Sequence, residues 1–512
     1  MNGNFYDVVV LGTQLGPLLA ATLLAKRGFR VLVLGQDDLP ATYDAGDGVM
    51  LPRAPFSFTA AGSPVARRVF AELALNQLFR RRALAMDPVF QVALPRHRLD
   101  LPESDAELER EIEREFPEVR RPVDDFHRSV ARTGAELDRL LERDLVWPPE
   151  TFFERRELTR ASAHLFFDKN GGGRDPFAEL REEHPFRLVV QAPTRFLDGM
   201  DPDYPTPLRL HRLYGSLLRG SAVLEGGEAG LRQMLVEKLR THSGELRERD
   251  RADAILLKRG AAAGVRIAGS GEDIGASFVA YGGDVSGLLR LLSDRRPFEE
   301  LFERLGEPQP RWFRYTLNLV LAADGVPMGM ARDVYFVRDA RRPLSAENLL
   351  HIEAHPPDAS GRRLLCVETL LPRRGIEDVP AYLEGVRERV FASLGELVPF
   401  LGRTVQLIDS PHDGRPVLDV RSGRSRPAPE PWTRGPQTMR TLYGYPVTSA
   451  LGLSALPVRT PVNRLLLCSG QTTPGLGMEG HLLAAWSAAR IVTRADRRKA
   501  WLRGRLWTKV EI

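Results

Sequence analysis

The sequence predicts a mixed α/β fold, and three segments of the chain carry this prediction. Residues 7–35 read as an apolar strand, a tight turn, an Ala- and Leu-rich helix and a second apolar strand. Residues 221–268 place a Gly-Gly turn before an amphipathic helix and a pair of strands. Residues 453–492 contain a strand, a glycine-rich turn and a long Ala-rich helix. Strands that alternate with helices in this way are typical of a parallel sheet covered by helices.

The turn after the first strand lies where a G-x-G-x-x-G pattern would hold a dinucleotide. In that pattern the first glycine makes the turn, the second admits the pyrophosphate, and the third lets helix and strand pack closely. Gly12 fills the first position, whereas Gln14 and Pro17 stand at the other two. Gly35 ends the second strand, where an acidic side chain would bind the ribose. The sequence therefore predicts a discontinuous Rossmann-type FAD/NAD(P)-binding fold with an inserted α+β substrate or cap domain, and a nucleotide site that departs from the pattern.

Composition limits the classes of function. At 512 residues and 43% hydrophobic content, the chain can form two or three domains with substantial cores. Cys366 and Cys468 give no disulfide framework and no zinc spacing is present, so we expect a reducing, cytoplasmic setting and no metal site. The net charge is +5, but eight Lys and Arg against two acids lie within residues 490–512. The rest of the chain is near neutral, which is not typical of a nucleic-acid-binding body.

Residues 104–143 are charged and amphipathic, which predicts surface helices with one buried stripe. The stripe is expected at Leu108, Ile112, Phe116, Val123 and Phe126. Residues 147–186 follow and are rich in Trp and Phe. They are interpreted either as the core of a second domain or as an aromatic-lined channel for an elongated apolar ligand.

The three α/β segments resemble the phytoene desaturase and carotenoid isomerase branch of the FAD-dependent amine oxidase superfamily. The resemblance rests on DVVVLGTQLG…RVLVLG, on SAVLEGGEAGLRQMLVEKLRTHSGELRERDRADAILLKRGAAAGVRIA and on LSALPVRTPVNRLLLCSGQTTPGLGMEGHLLAAWSAARIV. It implies an FAD-dependent oxidoreductase that acts on an apolar substrate of polyene or isoprenoid type. It also implies that the last block forms a helix whose N-terminus faces the flavin ring and stabilises negative charge there.

The resemblance implies two groups of site residues. The candidates for cofactor binding are Gly12, Thr13, Gln14, Gly16, Asp37, Gly470, Gly475, Gly477 and Met478. Asp37, or its neighbour Asp38, is expected to reach the ribose in place of the missing acid at Gly35. Glu479 and His481 open the last helix and are the candidate catalytic residues.

The resemblance also implies a division of the chain. Residues 1–100 and 221–300 are expected to form two parts of the dinucleotide-binding domain, and residues 437–493 its flavin-side segment. Residues 101–220 are expected to form a helical, aromatic-rich substrate or cap domain, with residues 301–436 as its second part. Residues 494–512 are expected to be a basic tail that contains tryptophan.

A non-catalytic protein is the alternative. The Arg-Gly-Gly-Arg element of the family is absent after the second strand, and residues 281–284 replace its Asn-Ala turn. Each hydrogen bond lost to a charged phosphate costs about 1.5–3 kcal/mol. Rab GDP-dissociation inhibitors and Rab escort proteins resemble the same superfamily and do not use FAD. The alternative is therefore a pseudo-oxidoreductase that binds a lipid or a protein.

Two further features leave alternatives open. The tail RADRRKAWLRGRLWTKVEI spaces Trp501 and Trp507 among basic residues, which favours contact with a membrane surface, with an acidic partner or with the protein's own body. A membrane contact would make the protein peripheral on the inner face of the membrane. His351 and His355 have a metal-like spacing, but Pro356 follows at once, so a loop or strand end is the favoured interpretation.

Overall fold

The computed structural model describes residues 5–36, 38–165, 167–168, 170–203, 205–373 and 379–495. Its strands are β1 Phe5–Leu11, β2 Val31–Leu34, β3 Thr42–Asp44, β4 Met50–Pro52, β5 Ala83–Ala85, β6 Phe90–Ala93, β7 Arg98–Leu101, β8 Ala222–Leu224, β9 Glu245–Arg247, β10 Ala252–Lys258, β11 Ala261–Ile267, β12 Asp273–Tyr281, β13 Gln309–Leu321, β14 Asp333–Val337, β15 Leu349–Ala354, β16 Arg363–Pro372, β17 Val405–Asp409, β18 Val417–Asp419, β19 Arg424–Arg426, β20 Arg440–Gly444 and β21 Leu465–Leu467.

The α-helices connect these strands. They are α1 Leu15–Lys26, α2 Pro64–Glu72, α3 Asn76–Arg82, α4 Asp105–Glu115, α5 Arg120–Leu141, α6 Phe152–Ala161, α7 Phe186–Leu197, α8 Pro207–Leu218, α9 Gly227–Thr241, α10 Val285–Arg290, α11 Arg296–Leu305, α12 Val379–Glu384, α13 Val386–Leu397, α14 Leu401–Thr404 and α15 Gly477–Ala495. Short 3₁₀ turns lie at Pro117–Val119, Ala346–Asn348, Pro431–Thr433, Pro436–Thr438 and Pro474–Leu476.

A partly parallel sheet organises the first half of the fold. Its strand order is β10-β11-β12-β1-β2-β9, and β21 also pairs with β12. Strand β1 runs parallel to both β2 and β12, and β12 runs parallel to β21. The predicted α/β fold of Rossmann type with a separate substrate domain is confirmed. Because parallel strands end at the same edge, this sheet brings the ends of β1, β2, β12 and β21 together.

Helix α1 lies at the centre of this half. Residues 16–25 are all buried, because the helix packs between the sheet, α9 and α15. An Ala- and Leu-rich helix with no polar face is the sequence signature of such a position. The apolar composition that could suggest a membrane segment is therefore explained by burial. Among the described residues, no helix combines the length and apolarity that a membrane span requires.

The second half is built on a large, mostly antiparallel sheet. Its strand order is β19-β18-β17-β13-β16-β15-β14-β6-β7, with β20 also paired to β13. Strands β6 and β7 precede the helical region but belong to this sheet rather than to the parallel one. The alternating apolar and polar residues of β6 and β7 indicate strands. Only the pairing of β6 with β14 decides which sheet these strands join.

The helical region between the two sheets agrees with the predicted stripe. Leu108, Ile112, Phe116, Val123 and Phe126 are all buried, as expected. The aromatic-rich segment divides into two groups. Trp147, Phe177 and Phe186 are core residues, whereas Phe152 and Phe153 are exposed at the start of α6.

Candidate functional site

The candidate site is the crevice at the carboxyl edge of the parallel sheet. Open α/β sheets bind ligands at this edge. The first turn of α1 and the first turns of α15 lie next to each other there. A Cβ built on Gly16 would lie 2.8 Å from the carbonyl oxygen of Cys468 and 3.7 Å from that of His481. Gly16 therefore permits the close packing that the third glycine of the G-x-G-x-x-G pattern provides. It stands one position earlier than the pattern expects.

The N-terminus of α1 is bound by a carboxylate of the protein itself. The main-chain N–H of Thr13 donates to Oδ2 of Asp38 at 2.5 Å, and that of Gln14 donates to the same atom at 3.2 Å. The side-chain amide of Gln14 donates to Oδ1 at 3.3 Å. Gly12 makes the turn with φ +111°, and its Cα carries no side chain that would crowd Asp38. Free N–H groups at a helix start are the groups that bind a pyrophosphate in this fold.

Asp38 is held there at a cost. Burial raises the pKa of its carboxyl group, and the hydrogen bonds from Thr13 and Gln14 oppose this rise. The sequence led us to expect Asp38 to reach toward a ribose; instead it binds the main chain at the start of α1, because the loop after β2 turns inward. Asp37, the other candidate, lies outside the described residues.

The position expected for a ribose-binding acid is closed by main chain. A Cβ built on Gly35 would overlap the carbonyl oxygen of Glu248. The N–H of Gly35 donates to the carbonyl of Arg247 at 3.0 Å, and the N–H of Gln36 donates to that of Asp250 at 3.2 Å. Glycine is therefore required at position 35 by the segment that follows β9, and no acid fits there without movement of that segment.

Pro17 closes the space between the ends of β1 and β12. A Cβ built on Gly282 would overlap the Pro17 ring, so the two residues are in close contact. The N–H of Gly282 donates to the carbonyl of Leu11 at 2.8 Å. The Tyr-Gly-Gly-Asp turn of residues 281–284 thus accommodates the proline at the helix start.

Charged side chains line the middle of the crevice. Nη2 of Arg440 donates to both carboxylate oxygens of Glu228 at 3.1 Å. Arg440 is the first residue of β20. Its side chain is 63% exposed and lies near the start of α9 and the loop after β2. Glu228, with smaller effects from Glu368 and Asp38, raises the pKa of the Arg440 guanidinium. The exposed Arg440 side chain marks the open part of the crevice.

His481 lies beside this open part. A Cβ built on Gly470 would lie 2.7 Å from Cε1 of the His481 ring, so glycine is needed to make room for it. Burial lowers the pKa of His481 to about 4, so its imidazole is neutral at neutral pH. Its Nδ1 atom is buried and has no hydrogen-bond partner among the described residues. The catalytic role suggested for His481 stays a prediction.

The glycine turn before α15 contacts protein on both sides. The N–H of Gly475 donates to the carbonyl of Leu453 at 3.0 Å. A Cβ built on Gly477, where φ is +54°, would lie 2.5 Å from the carbonyl oxygen of Leu197. Met478 is half-buried and packs against the core around α1. These glycines permit close approach, as the sequence indicates, but the described residues they approach belong to α7 and to the segment before β21.

Glu479 is part of a buried ion pair. Its two carboxylate oxygens accept from Nε and Nη2 of Arg212 on α8, at 2.8 and 2.6 Å, and Oε1 also accepts from the Ser63 hydroxyl at 2.5 Å. Arg212 donates in addition to Asp138 on α5 at 2.6 Å. Burial alone would lower the pKa of Arg212, but Glu479 and Asp138 raise it. These contacts favour a positioning role for Glu479 over the catalytic role suggested by the sequence.

One polar region was not found by sequence reasoning. The face of the antiparallel sheet that looks toward residues 52–57 carries buried polar side chains. Asn318 donates to the carbonyl of Pro52 at 2.7 Å, and the N–H of Phe56 donates to Glu353 at 3.0 Å. The hydroxyl of Ser57 donates to Asp333 at 2.6 Å. Alternating polar residues along β13 to β16 were the only available signal, and they could not show which loop would cover them.

The remaining candidates have structural surroundings. His351 lies within β15 rather than on a helix, stacks on Tyr335 at 4.6 Å and bonds Asp333 through Nε2 at 2.9 Å. Cys366 and Cys468 are buried free thiols. Burial raises the pKa of Cys468 to about 12, which keeps it protonated. Within the described ranges, no group of three or more His, Cys, Asp or Glu residues is placed to hold a metal ion.

These residues do not fit FAD in the usual extended pose. The pyrophosphate of FAD needs the N–H groups of Thr13 and Gln14, which donate to Asp38. The adenosine ribose needs an acid where Gly35 packs against Glu248. Groups of the chain thus occupy both of these positions.

No protein-family model matches this sequence, and no curated protein matches it either. Solved structures do match. An oxidoreductase from Methanosarcina mazei has 17% identity and a TM-score of 0.56, covering 94% of this chain and 99% of its own. A putrescine oxidase redesigned in its cofactor binding has 15% identity and a TM-score of 0.57, covering 96% of this chain and 99% of its own.

A third similar structure is a Rab GDI from Plasmodium falciparum, with 12% identity and a TM-score of 0.53, covering 95% of this chain and 98% of its own. At these identities the likeness shows the fold alone. The chain therefore has the fold of these solved structures, with a partly parallel sheet of Rossmann type joined to a large, mostly antiparallel sheet.

Proposed function

We propose that this protein is a non-redox member of its fold, a pseudo-oxidoreductase that works as a lipid- or protein-binding module. The observation that carries this proposal is the Asp38 carboxylate on the N–H groups of Thr13 and Gln14. A carboxylate of the chain there takes the place of the pyrophosphate that a dinucleotide would bring.

Charge and hydrogen bonding both support the proposal. Two like charges about 4 Å apart near a protein surface repel by about 4 kcal/mol, so an ionised Asp38 at the start of α1 repels a pyrophosphate that approaches the same N–H groups. Each hydrogen bond that the phosphate then fails to make costs about 1.5–3 kcal/mol. Together these terms weaken FAD binding by several powers of ten.

An FAD-dependent oxidoreductase of the phytoene desaturase type, acting on an apolar polyene or isoprenoid, is the second candidate. It is favoured by the retained turn at Gly12 and by His481 and the exposed Arg440 near the start of α15. In this reading the Asp38 side chain leaves the start of α1 when the cofactor enters. The two candidate functions therefore differ in whether Asp38 stays on the N–H groups of Thr13 and Gln14.

The test is the visible absorption spectrum of the purified protein, followed by titration with FAD. The proposal expects a colourless protein whose tryptophan fluorescence does not respond to micromolar FAD. Flavin that co-purifies, or FAD that binds in the micromolar range, would contradict it. Bleaching of that flavin by an apolar substrate would establish the second candidate.

A further inference from the structure

Two neighbouring phenylalanines protrude from the surface at the start of α6. Phe152 is 72% exposed and Phe153 is 77% exposed. Their rings contact only edge to face, with centroids 5.8 Å apart. Exposed apolar groups of this size normally mark a surface that meets another apolar phase.

The base under these rings is well ordered by hydrogen bonds. Thr151 and Glu154 form a reciprocal capping box at the start of α6. Glu154 is buried and also pairs with Arg459 at 2.9 Å. The phenylalanines are therefore held outward by a fixed helix start rather than by a frayed end.

Basic side chains follow the aromatic pair along α6. Arg155, Arg156 and Arg160 are exposed on α6, against a single exposed acid, Glu157. Within the part of the chain that the structure describes, none of these three arginines forms an ion pair. An exposed apolar helix start followed by three exposed arginines is complementary to an interface that is apolar below and anionic above.

The segment that precedes α6 is held by hydrogen bonds to α15. The N–H of Trp147 donates to Ser487 at 2.9 Å, and Nε1 of Trp486 donates to Asp144 at 3.0 Å. The segment that leads into α6 is thus bound to the second half of α15. Residues 496–512, which lie outside the described residues, continue the chain from that helix.

We infer that the start of α6 is a membrane-contact site, in which Phe152 and Phe153 enter the headgroup region of an anionic lipid surface and Arg155, Arg156 and Arg160 contact the lipid phosphates. A stable protein interface needs roughly 1,000 Å² or more of complementary surface. Two exposed rings supply far less area than a stable protein interface needs, but they suffice for shallow insertion into a lipid surface. This inference does not depend on whether the crevice binds FAD.

The test is co-sedimentation of the full chain with vesicles of phosphatidylcholine, with and without phosphatidylglycerol. The wild type is expected to bind the anionic vesicles, and the Phe152→Ser/Phe153→Ser double variant to bind at least about tenfold more weakly. Arg155→Gln/Arg156→Gln is expected to weaken binding only to the anionic vesicles. Trp432→Ser is the matched control, because Trp432 is 74% exposed on another surface.

Two results would overturn the inference. One is a double variant that binds as tightly as the wild type, which would assign vesicle binding to another part of the chain such as the C-terminal segment. The other is a wild type that binds neither kind of vesicle, which would leave a protein partner as the explanation of the exposed rings. Thermal unfolding of every variant shows whether it is folded, and substitutions at such exposed sites change stability little.

Discussion

Gly35 shows, at the scale of one residue, why this chain departs from the pattern of a nucleotide site. The absent side chain is needed by the fold, since the carbonyl of Glu248 occupies the place of a Cβ. Asp38, three residues later, supplies the negative charge that the helix start would otherwise take from a ligand. Position 35 thus lacks the acid that would bind a ribose, and Asp38 occupies the N–H groups that would bind a pyrophosphate.

Gly35→Ala is expected to destabilise the protein by about 1–3 kcal/mol, because the added methyl group forces the segment after β9 to move. Urea denaturation followed by circular dichroism measures the loss. Gly395→Ala is the matched control, because Gly395 is exposed within α13 and a Cβ there meets no atom within 4 Å. That control is expected to be neutral or stabilising. Equal effects of the two substitutions would show that the close contact at Gly35 does not exist.

Residue-scale prediction succeeded for conformation and was incomplete for contacts. The turn at Gly12 follows from its sequence position between an apolar strand and helix. The partner of Asp38 does not, because a loop side chain can reach several groups and sequence alone does not order them. Gly16 was grouped with the cofactor ligands, yet its closest contact is the carbonyl of Cys468, which is distant in sequence.

At the scale of elements, a buried ion pair fixes α15 against the helical region. Glu479 joins the first turn of α15 to Arg212 on α8, and Asp138 on α5 shares the same guanidinium. Arg212 is 1% exposed, so its charge is balanced entirely by protein groups. The start of α15 is thus held to helices α5 and α8.

Arg212→Met is expected to cost about 3–5 kcal/mol of unfolding free energy, because it leaves the buried Glu479 carboxylate without its partner. The double variant Arg212→Met/Glu479→Leu is expected to recover part of that loss, since it removes both charges. Urea denaturation of the two single variants and the double variant measures the coupling. Strictly additive effects would contradict a direct interaction between the two side chains.

Elements with strong apolar patterns were predictable, and elements held by distant polar contacts were not. Helices α1 and α15 follow from long Ala- and Leu-rich segments after apolar strands. The membership of β6 in the antiparallel sheet depends on pairing with β14, more than 200 residues away. The Arg212–Glu479 pair spans a similar distance.

The whole molecule is expected to be sensitive to acid, because it buries neutral histidines. Burial lowers the pKa of His127 to about 4 and that of His481 to about 4. Burial, aided by Arg53 and Arg440, lowers the pKa of His412 to about 3. An unfolded histidine takes up a proton below its ordinary pKa of about 6.5, whereas these folded ones do not. Stability is therefore full above that pH and falls as the pH is lowered toward 4.

His412→Gln is expected to reduce this pH dependence by about 1.4 kcal/mol per pH unit between roughly pH 6 and 4. Urea denaturation at several pH values in that window measures the slope. His164→Gln is the control, since His164 is exposed and its loss is expected to leave the slope unchanged. A His412→Gln variant with the same slope as the wild type would show that His412 is not buried in its neutral form.

The overall architecture was the most predictable property of the chain. Three α/β segments sufficed for the parallel sheet, because strand-turn-helix order largely fixes parallel topology. The groups that line the crevice were harder to predict from the sequence. It depends on which loop enters it, and the loop after β2 places Asp38 there through contacts that leave no periodic signal in the sequence.

The most direct test of the account is the thermal stability of Asp38→Ala with and without millimolar pyrophosphate. The variant is expected to lose about 1–3 kcal/mol, because two N–H groups at the start of α1 lose their acceptor. Added pyrophosphate is expected to restore part of this loss in the variant and to leave the wild type unchanged. Asp253→Ala, at an exposed acid on β10, is expected to behave as the wild type. If pyrophosphate stabilises the wild type as much as the variant, or if the variant loses no stability, Asp38 does not occupy the anion position.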